Sequence, residues 1–101
     1  MLTHLVLFRL RRPSDGAARM RLIDALTAFA AQAPFAEGPA TVLADLGLRD
    51  ANPHGCDALL RVRFGGTEAF ASYLTSQPHQ TLVSEVLEPS CESWWSIQTS
   101  D

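Results

Sequence analysis

Lysine is missing from this sequence, and with it go the marks of several large protein classes. All eight basic side chains are arginine, a bias that carries no functional reading of its own. Eight basic against eleven acidic residues leave a formal net charge of −3. The clustered positive charge needed to displace counterions from phosphates is absent, so a nucleic-acid partner is not expected. The two cysteines, Cys56 and Cys91, lie too far apart for a CxxC motif and are too few for a disulfide scaffold, which fits a reducing compartment. No apolar run approaches the roughly 20 residues that cross a bilayer. The opening Met1-Leu2-Thr3-His4-Leu5 already alternates like a strand and lacks the basic, apolar and small-residue regions of a signal peptide, so the expected location is the cytoplasm, with no membrane partner. The three histidines, His4, His54 and His79, lack H-x-x-x-H or H-E-x-x-H spacing, and no metal or other cofactor is expected.

What is present is one domain's worth of apolar residues. A chain of 101 residues that is 47% hydrophobic has enough for one core, and residues 1–101 are read as a single domain. Leu2 to Leu10 reads as a strand ending at Arg11-Arg12-Pro13. Ser14 is a plausible N-cap for an amphipathic helix to about Ala33, with Leu22, Ile23, Leu26 and Phe29 at helical spacing and a stop before Pro34. Alternating Val42, Ala44, Leu46 and Leu48 predict a second strand over 40–48. The turn-formers Asp50, Asn52, Pro53 and Gly55 predict an exposed loop, and a third strand follows over 57–64. Gly65-Gly66 breaks it, and Thr67 can cap a short helix to Leu74. A second short helix after Pro78 is predicted to stop before Pro89, and a last strand runs from about Cys91 to Thr99.

That order, strand, helix, strand, strand, helix pair, strand, predicts an α+β fold of the ferredoxin-like β-α-β-β-α-β kind: a four-stranded antiparallel sheet with all helices on one face. Strand parity then leaves apolar side chains on the other face. His4, Val6 and Phe8 point one way while Leu5 and Leu7 point the other, and the adjacent Trp94 and Trp95 must diverge. So short a chain has no element left to cover that second face, and a two-fold partner copy supplies the missing layer most simply. Arg61 and Arg63 share a parity with Asp57 and Leu59, and are expected either to form salt bridges across such a dimer or to border a pocket.

Three stretches resemble one family. They are Thr3-His4-Leu5-Val6-Leu7-Phe8-Arg9, then Asp57-Ala58-Leu59-Leu60-Arg61-Val62-Arg63-Phe64 with Glu68-Ala69-Phe70-Ala71-Ser72-Tyr73-Leu74 behind it, and Gln77-Pro78-His79-Gln80 with Val83, Leu87 and Pro89. On them the chain resembles, over nearly its whole length, the stress-responsive dimeric α/β-barrel (Dabb) proteins. The resemblance implies a homodimer whose two sheets close into a barrel. A plant member of the family is a polyketide cyclase that closes a ring by intramolecular aldol condensation, using histidines and a tyrosine between sheet and helices. By that likeness His4 corresponds to its first-strand histidine, Tyr73 to its helix tyrosine and His79 to its catalytic base. Ala58 stands where that enzyme has a further histidine, and Ser76 where the family often has another before the proline.

The candidate site is therefore His79 as base, Tyr73 as orienting acid and His4 as second polar anchor. Its expected apolar pocket is made by Val6, Phe8, Leu22, Ile23, Leu26 and Leu60. A histidine early in a helix is disfavoured as imidazolium by the helix dipole, so it can accept a proton. Each of the three could instead simply pack and bond locally. His54, between Pro53 and Gly55, is expected to be an exposed loop residue. Three readings stay open. The first is acid–base catalysis, such as cyclisation or isomerisation, on a polyketide-like carbonyl compound, by a lyase or isomerase. The second is a non-catalytic stress-associated module holding a small hydrophobic ligand. The third is a cofactor-free monooxygenase.

Overall fold

The computed structural model describes residues 1–100. Nine strand residues open the chain as β1 (Leu2–Leu10), followed by α1 (Gly16–Ala31), β2 (Thr41–Ala44), β3 (Ala58–Phe64), α2 (Thr67–Thr75) and α3 (Gln77–Leu82). A π-helical turn over Val83–Leu87 and one last turn over Glu88–Ser90 lead into β4 (Cys91–Ser100). The strands form one antiparallel sheet in the order β2-β3-β1-β4, the expected ferredoxin-like arrangement. The two central strands are the ones flanked by neighbours on both sides, which is why their inward residues are the most apolar.

Alternation decides the two faces. Val6, Phe8 and Leu10 of β1 and Ala58, Leu60, Val62 and Phe64 of β3 are buried beneath the helices. There they meet Leu22, Leu26 and Ala30 of α1, Tyr73 of α2, and Leu82 and Leu87. The opposite parity makes two rows across the other face. Leu43, Leu59, Leu7 and Trp95 stand in register across all four strands, and Leu5 and Ile97 are paired in the next row beside Arg61 and Thr41. Trp95 is 52% and Ile97 58% exposed, which leaves large apolar side chains on a face no helix covers. Trp94, its neighbour in sequence, packs against the helix-side core.

Several boundaries differ from those read off the sequence, each for a local reason. The cap of α1 is Asp15, one residue after Ser14; its carboxylate accepts from the N–H groups of Ala17 and Ala18 at 3.0 and 3.1 Å. The strand β2 stops at Ala44 instead of running to Leu48. The Asp45 carboxylate accepts from the N–H of Gly47 and of Leu48 and so favours a turn. Gly47 takes the left-handed conformation there, φ +85°, leaving Leu46 and Leu48 exposed. Thr67 lies inside α2, and Gly66 stands at its cap without a side-chain bond. The last helical segment does not end before Pro89 but passes through it. A proline ring normally collides with the carbonyl four residues back, and the wide turn just before it relieves that crowding.

Asp57 also departs from expectation. It is not on the open face with Arg61 and Arg63 but turns inward, 1% exposed. Its carboxylate accepts from the Leu10 N–H at 2.8 Å, from Arg49 at 2.9 Å and from Arg19 at 3.0 Å. One side chain thus ties the end of β1, the first turns of α1, the loop after β2 and the start of β3. Arg61 and Arg63 are exposed on the uncovered face.

Candidate functional site

The sheet brings His4 inward in the middle of its helix-covered face. Its Nδ1 lies 2.7 Å from Oε1 of Gln98, the residue directly opposite it on β4. In a neutral imidazole with Nδ1–H donating to that oxygen, Nε2 is left as an acceptor. Burial holds the His4 pKa below its ordinary value. The Gln98 bond works against that shift, and the charge that His79 would carry reinforces it.

Tyr73 and His79 come from the two short helices. Ser76 joins them: its hydroxyl donates to the Tyr73 carbonyl at 2.7 Å and accepts from the His79 N–H at 3.4 Å. Pro78 occupies the first turn of α3, where the missing N–H costs no helix bond. Centroids of the Tyr73 and His79 rings are 4.8 Å apart, and those of Tyr73 and His4 5.8 Å in an edge-on arrangement. His79, half-buried, is pushed by desolvation towards the neutral form, while a hydrogen bond to the Leu74 backbone carbonyl opposes this. A neutral imidazole here keeps one ring nitrogen able to accept a proton. Tyr73 is 1% exposed, and burial alone raises its phenol pKa far above the ordinary 10.0.

These three side chains line a single cavity of about 150 Å³ together with Val6, Phe8 and Leu60 of the sheet. Leu82 and Leu87 wall the helical side, and Trp94, Ser96 and Leu74 complete it. Of these last, Leu74 and Ser96 are exposed and mark the mouth. Leu22 and Leu26, by contrast, are sealed in the core and Ile23 packs against it; none of the three is among the cavity's lining residues, because α1 covers the opposite end of the sheet face. His54 is exposed in its loop. Gln98, Leu82, Leu87 and Trp94 were not foreseen as site residues. Shared parity with Trp94 could have flagged Gln98, but the β1–β4 register that puts it opposite His4 is not written in either strand alone.

Other features of the surface carry less chemistry. A larger groove of about 470 Å³ between α1 and the last helical turns is lined by Arg11, Arg12, Arg21, Asp15 and Glu85, charges of both signs open to water. Cys56 and Cys91 are free thiols, and burial raises the Cys91 pKa to about 11. Among the described residues no three His, Cys, Asp or Glu side chains gather as a metal-binding group, and no helix is long and apolar enough to cross a membrane.

Residues 2–101 match the sequence model of the stress responsive A/B barrel domain. The fold is that of several solved structures. One, a Dabb family protein with a ferredoxin-like fold from Mesorhizobium loti, superposes with a TM-score of 0.80 at 15% identity, covering 99% of this chain and 95% of that one. A dimeric ferredoxin-like protein of unknown function from Thermobifida fusca gives 0.78 at 21% identity, covering 99% and 90%. The hydroxynitrile lyase from Passiflora edulis gives 0.73 at 18% identity, covering 97% and 90%. No curated protein sequence matches this chain significantly.

Proposed function

The chain belongs to the stress responsive A/B barrel (Dabb) domain family, and from that premise we propose a single-domain homodimer in which each subunit performs acid–base chemistry, such as cyclisation or isomerisation, on a small carbonyl compound. The observation that carries this reading is the meeting of two imidazoles and a phenol in one cavity, with both imidazoles biased towards neutrality by burial.

In this mechanism the unprotonated ring nitrogen of His79 removes a proton from the carbon next to the substrate carbonyl. Tyr73, whose burial keeps it protonated, donates a hydrogen bond to the carbonyl oxygen as enolate charge develops there. The new imidazolium then returns the proton. Where a double bond is conjugated with the enolate, delivery to its far (γ) carbon gives an isomer; delivery to the oxygen of a second carbonyl, as the enolate carbon attacks that carbonyl, closes a ring. His4, held by Gln98, offers its remaining nitrogen as the second polar anchor. A structural relative bears the name of a hydroxynitrile lyase, which is in keeping with chemistry on this fold.

The second reading, a non-catalytic pocket for a small hydrophobic ligand, is favoured by one detail: Val6, Phe8, Leu60, Leu74, Leu82, Leu87 and Trp94 make most of the cavity's lining apolar. The homodimer is supported by the apolar rows on the uncovered face and by relatives named as dimeric. A cytoplasmic location fits the two free thiols, and the net charge of −3 argues against nucleic acid. The test is a thermal-shift screen of polyketide-like and phenolic carbonyl compounds on the wild type and on His79→Ala. Compounds that stabilise the wild type are expected to lose that effect in the variant, and turnover of a stabilising compound separates catalyst from binding module. Identical responses of the two proteins would defeat the pocket assignment.

A further inference from the structure

The helical segment that carries His79 is interrupted at a telling place. Over Val83–Leu87 it widens into a π turn in which the N–H of Glu88 donates to the Val83 carbonyl, five residues back. On a regular α-helix, residues five apart sit about 140° from each other around the axis. A turn closed across five residues instead stacks the fifth residue nearly over the first, and such turns recur at functional sites. Here it returns Leu87 to the side already held by Leu82 and His79, and all three line the cavity. Without the wide turn, Leu87 would rotate away and the wall facing Phe8 and Leu60 would be missing.

Size and charge of the cavity narrow what that wall admits. Its volume of about 150 Å³ is on the order of a cavity that takes up one benzene molecule. No Asp, Glu, Lys or Arg lines it, so nothing there compensates the desolvation of a carboxylate or an ammonium group. The polar groups present, two imidazoles and a phenol, suit a neutral oxygen.

We propose that the π turn is the size gauge of this site: through Leu87, backed by Leu82, it restricts occupants to neutral carbonyl compounds about the size of a single ring, with little further side chain. This inference rests on the His4–Tyr73–His79 cavity being the functional pocket. Leu87 is then a specificity-determining residue, and shortening it should lengthen the compound that fits.

The test uses the full-length protein and phenyl alkyl ketones from acetophenone to hexanophenone, with benzoate as the charged counterpart. Binding is followed by the NMR signals of His79 and Tyr73. The wild type is expected to bind the shortest ketones, to reject the longest, and to ignore benzoate. Leu87→Ala is expected to extend the accepted chain, gaining about fourfold in affinity for each added methylene that becomes buried. Leu87→Val, which removes a single carbon, should extend it by less, and carries the comparison if the alanine variant does not fold. If the wild type and the shortened variants rank the ketones identically while His79 and Tyr73 signals still move, the gauge is overturned and the pocket stands. If no ketone moves those signals in any of the proteins, the pocket reading falls and the gauge with it.

Discussion

Replacing Asp57 by alanine is expected to cost more than any other single polar substitution in this chain. The carboxylate is 1% exposed and accepts three hydrogen bonds, two from arginines whose side chains are only 22% and 14% exposed and one from the Leu10 N–H. Removing it takes from Arg19 its carboxylate partner and leaves Arg49 only the longer carboxylate contact, to Glu92 at 3.8 Å, and Arg19 already has one buried nitrogen, Nη1, unpartnered among the described residues. Breaking a buried ion pair from one side costs about 3–5 kcal/mol, against a total of about 5–15 kcal/mol for a domain. The melting temperature should fall by at least about 12 °C. Asp57→Asn keeps an acceptor for Leu10 but loses the Coulomb attraction, so it should lie between. Because desolvation makes the pairs weak sources of net stability, Asp57→Leu combined with Arg19→Met and Arg49→Met should recover most of the loss. Thermal unfolding reads the shift in melting temperature, and urea unfolding at matched protein concentration the free energies. An Asp57→Ala variant within about 1 kcal/mol of the wild type, with an unchanged denaturant slope, would refute this account of how the sheet end is held.

Trp95→Glu on the uncovered face should weaken self-association by about 2 kcal/mol, roughly thirtyfold in the dimer dissociation constant; sedimentation velocity reads this, and a wild type that is monomeric at micromolar concentration contradicts the interface. His4 and His79 have folded pKa values depressed below 6.5, so the unfolded chain takes up protons first on acidification. Their contribution to stability is complete above about pH 6.5 and is lost as pH falls towards the depressed values. The acid slope of unfolding free energy should therefore flatten in a His4→Gln, His79→Gln double variant, and equal slopes would show that neither histidine is buried as described. Tyr73 is the only tyrosine in the chain, so ultraviolet absorbance titrates it alone. The native protein should show no tyrosinate well above pH 10, whereas tyrosinate forming at its ordinary pKa would place the phenol in water.

The fold was legible because each strand reports its two faces by parity and each helix its stripe by period. The site was legible in its polar members, for His4 has a parity, Tyr73 a helix and His79 a proline before it. Its walls were not. The sequence pattern pointed to Leu22, Ile23 and Leu26, the helical stripe of α1, yet that stripe serves the core, and the wall comes from Leu82 and Leu87. Their spacing of five fits neither a helix nor a strand, and only the π turn reconciles it. Asp57 was misassigned for a related reason. At the first residue before a strand the alternation rule lapses, and three hydrogen-bond donors brought from distant segments outweighed parity. Likewise Leu46 and Leu48 continue the alternation of β2, but Asp45 and Gly47 turn the backbone before either can pair.

Strands β1 and β4 each serve both faces of the sheet. On β1, His4, Val6 and Phe8 build the cavity, while Leu5 and Leu7 sit in the apolar rows on the other face; on β4, Trp94 lines the cavity and Trp95 stands among those rows. Because side chains alternate with a period of two, slipping the register by one residue would exchange the faces, putting histidine on the uncovered face and leucine in the cavity. Pairing of β1 with neighbours on both sides is what fixes that register. Under the proposed function, assembly and ligand binding are therefore separable by parity: substitutions at Leu7, Trp95 or Ile97 should alter assembly before they alter ligand binding, and those at His4 or Val6 the reverse. A cavity whose ligand affinity tracked Trp95 as strongly as His4 would mean that the second copy closes the pocket as well as the sheet.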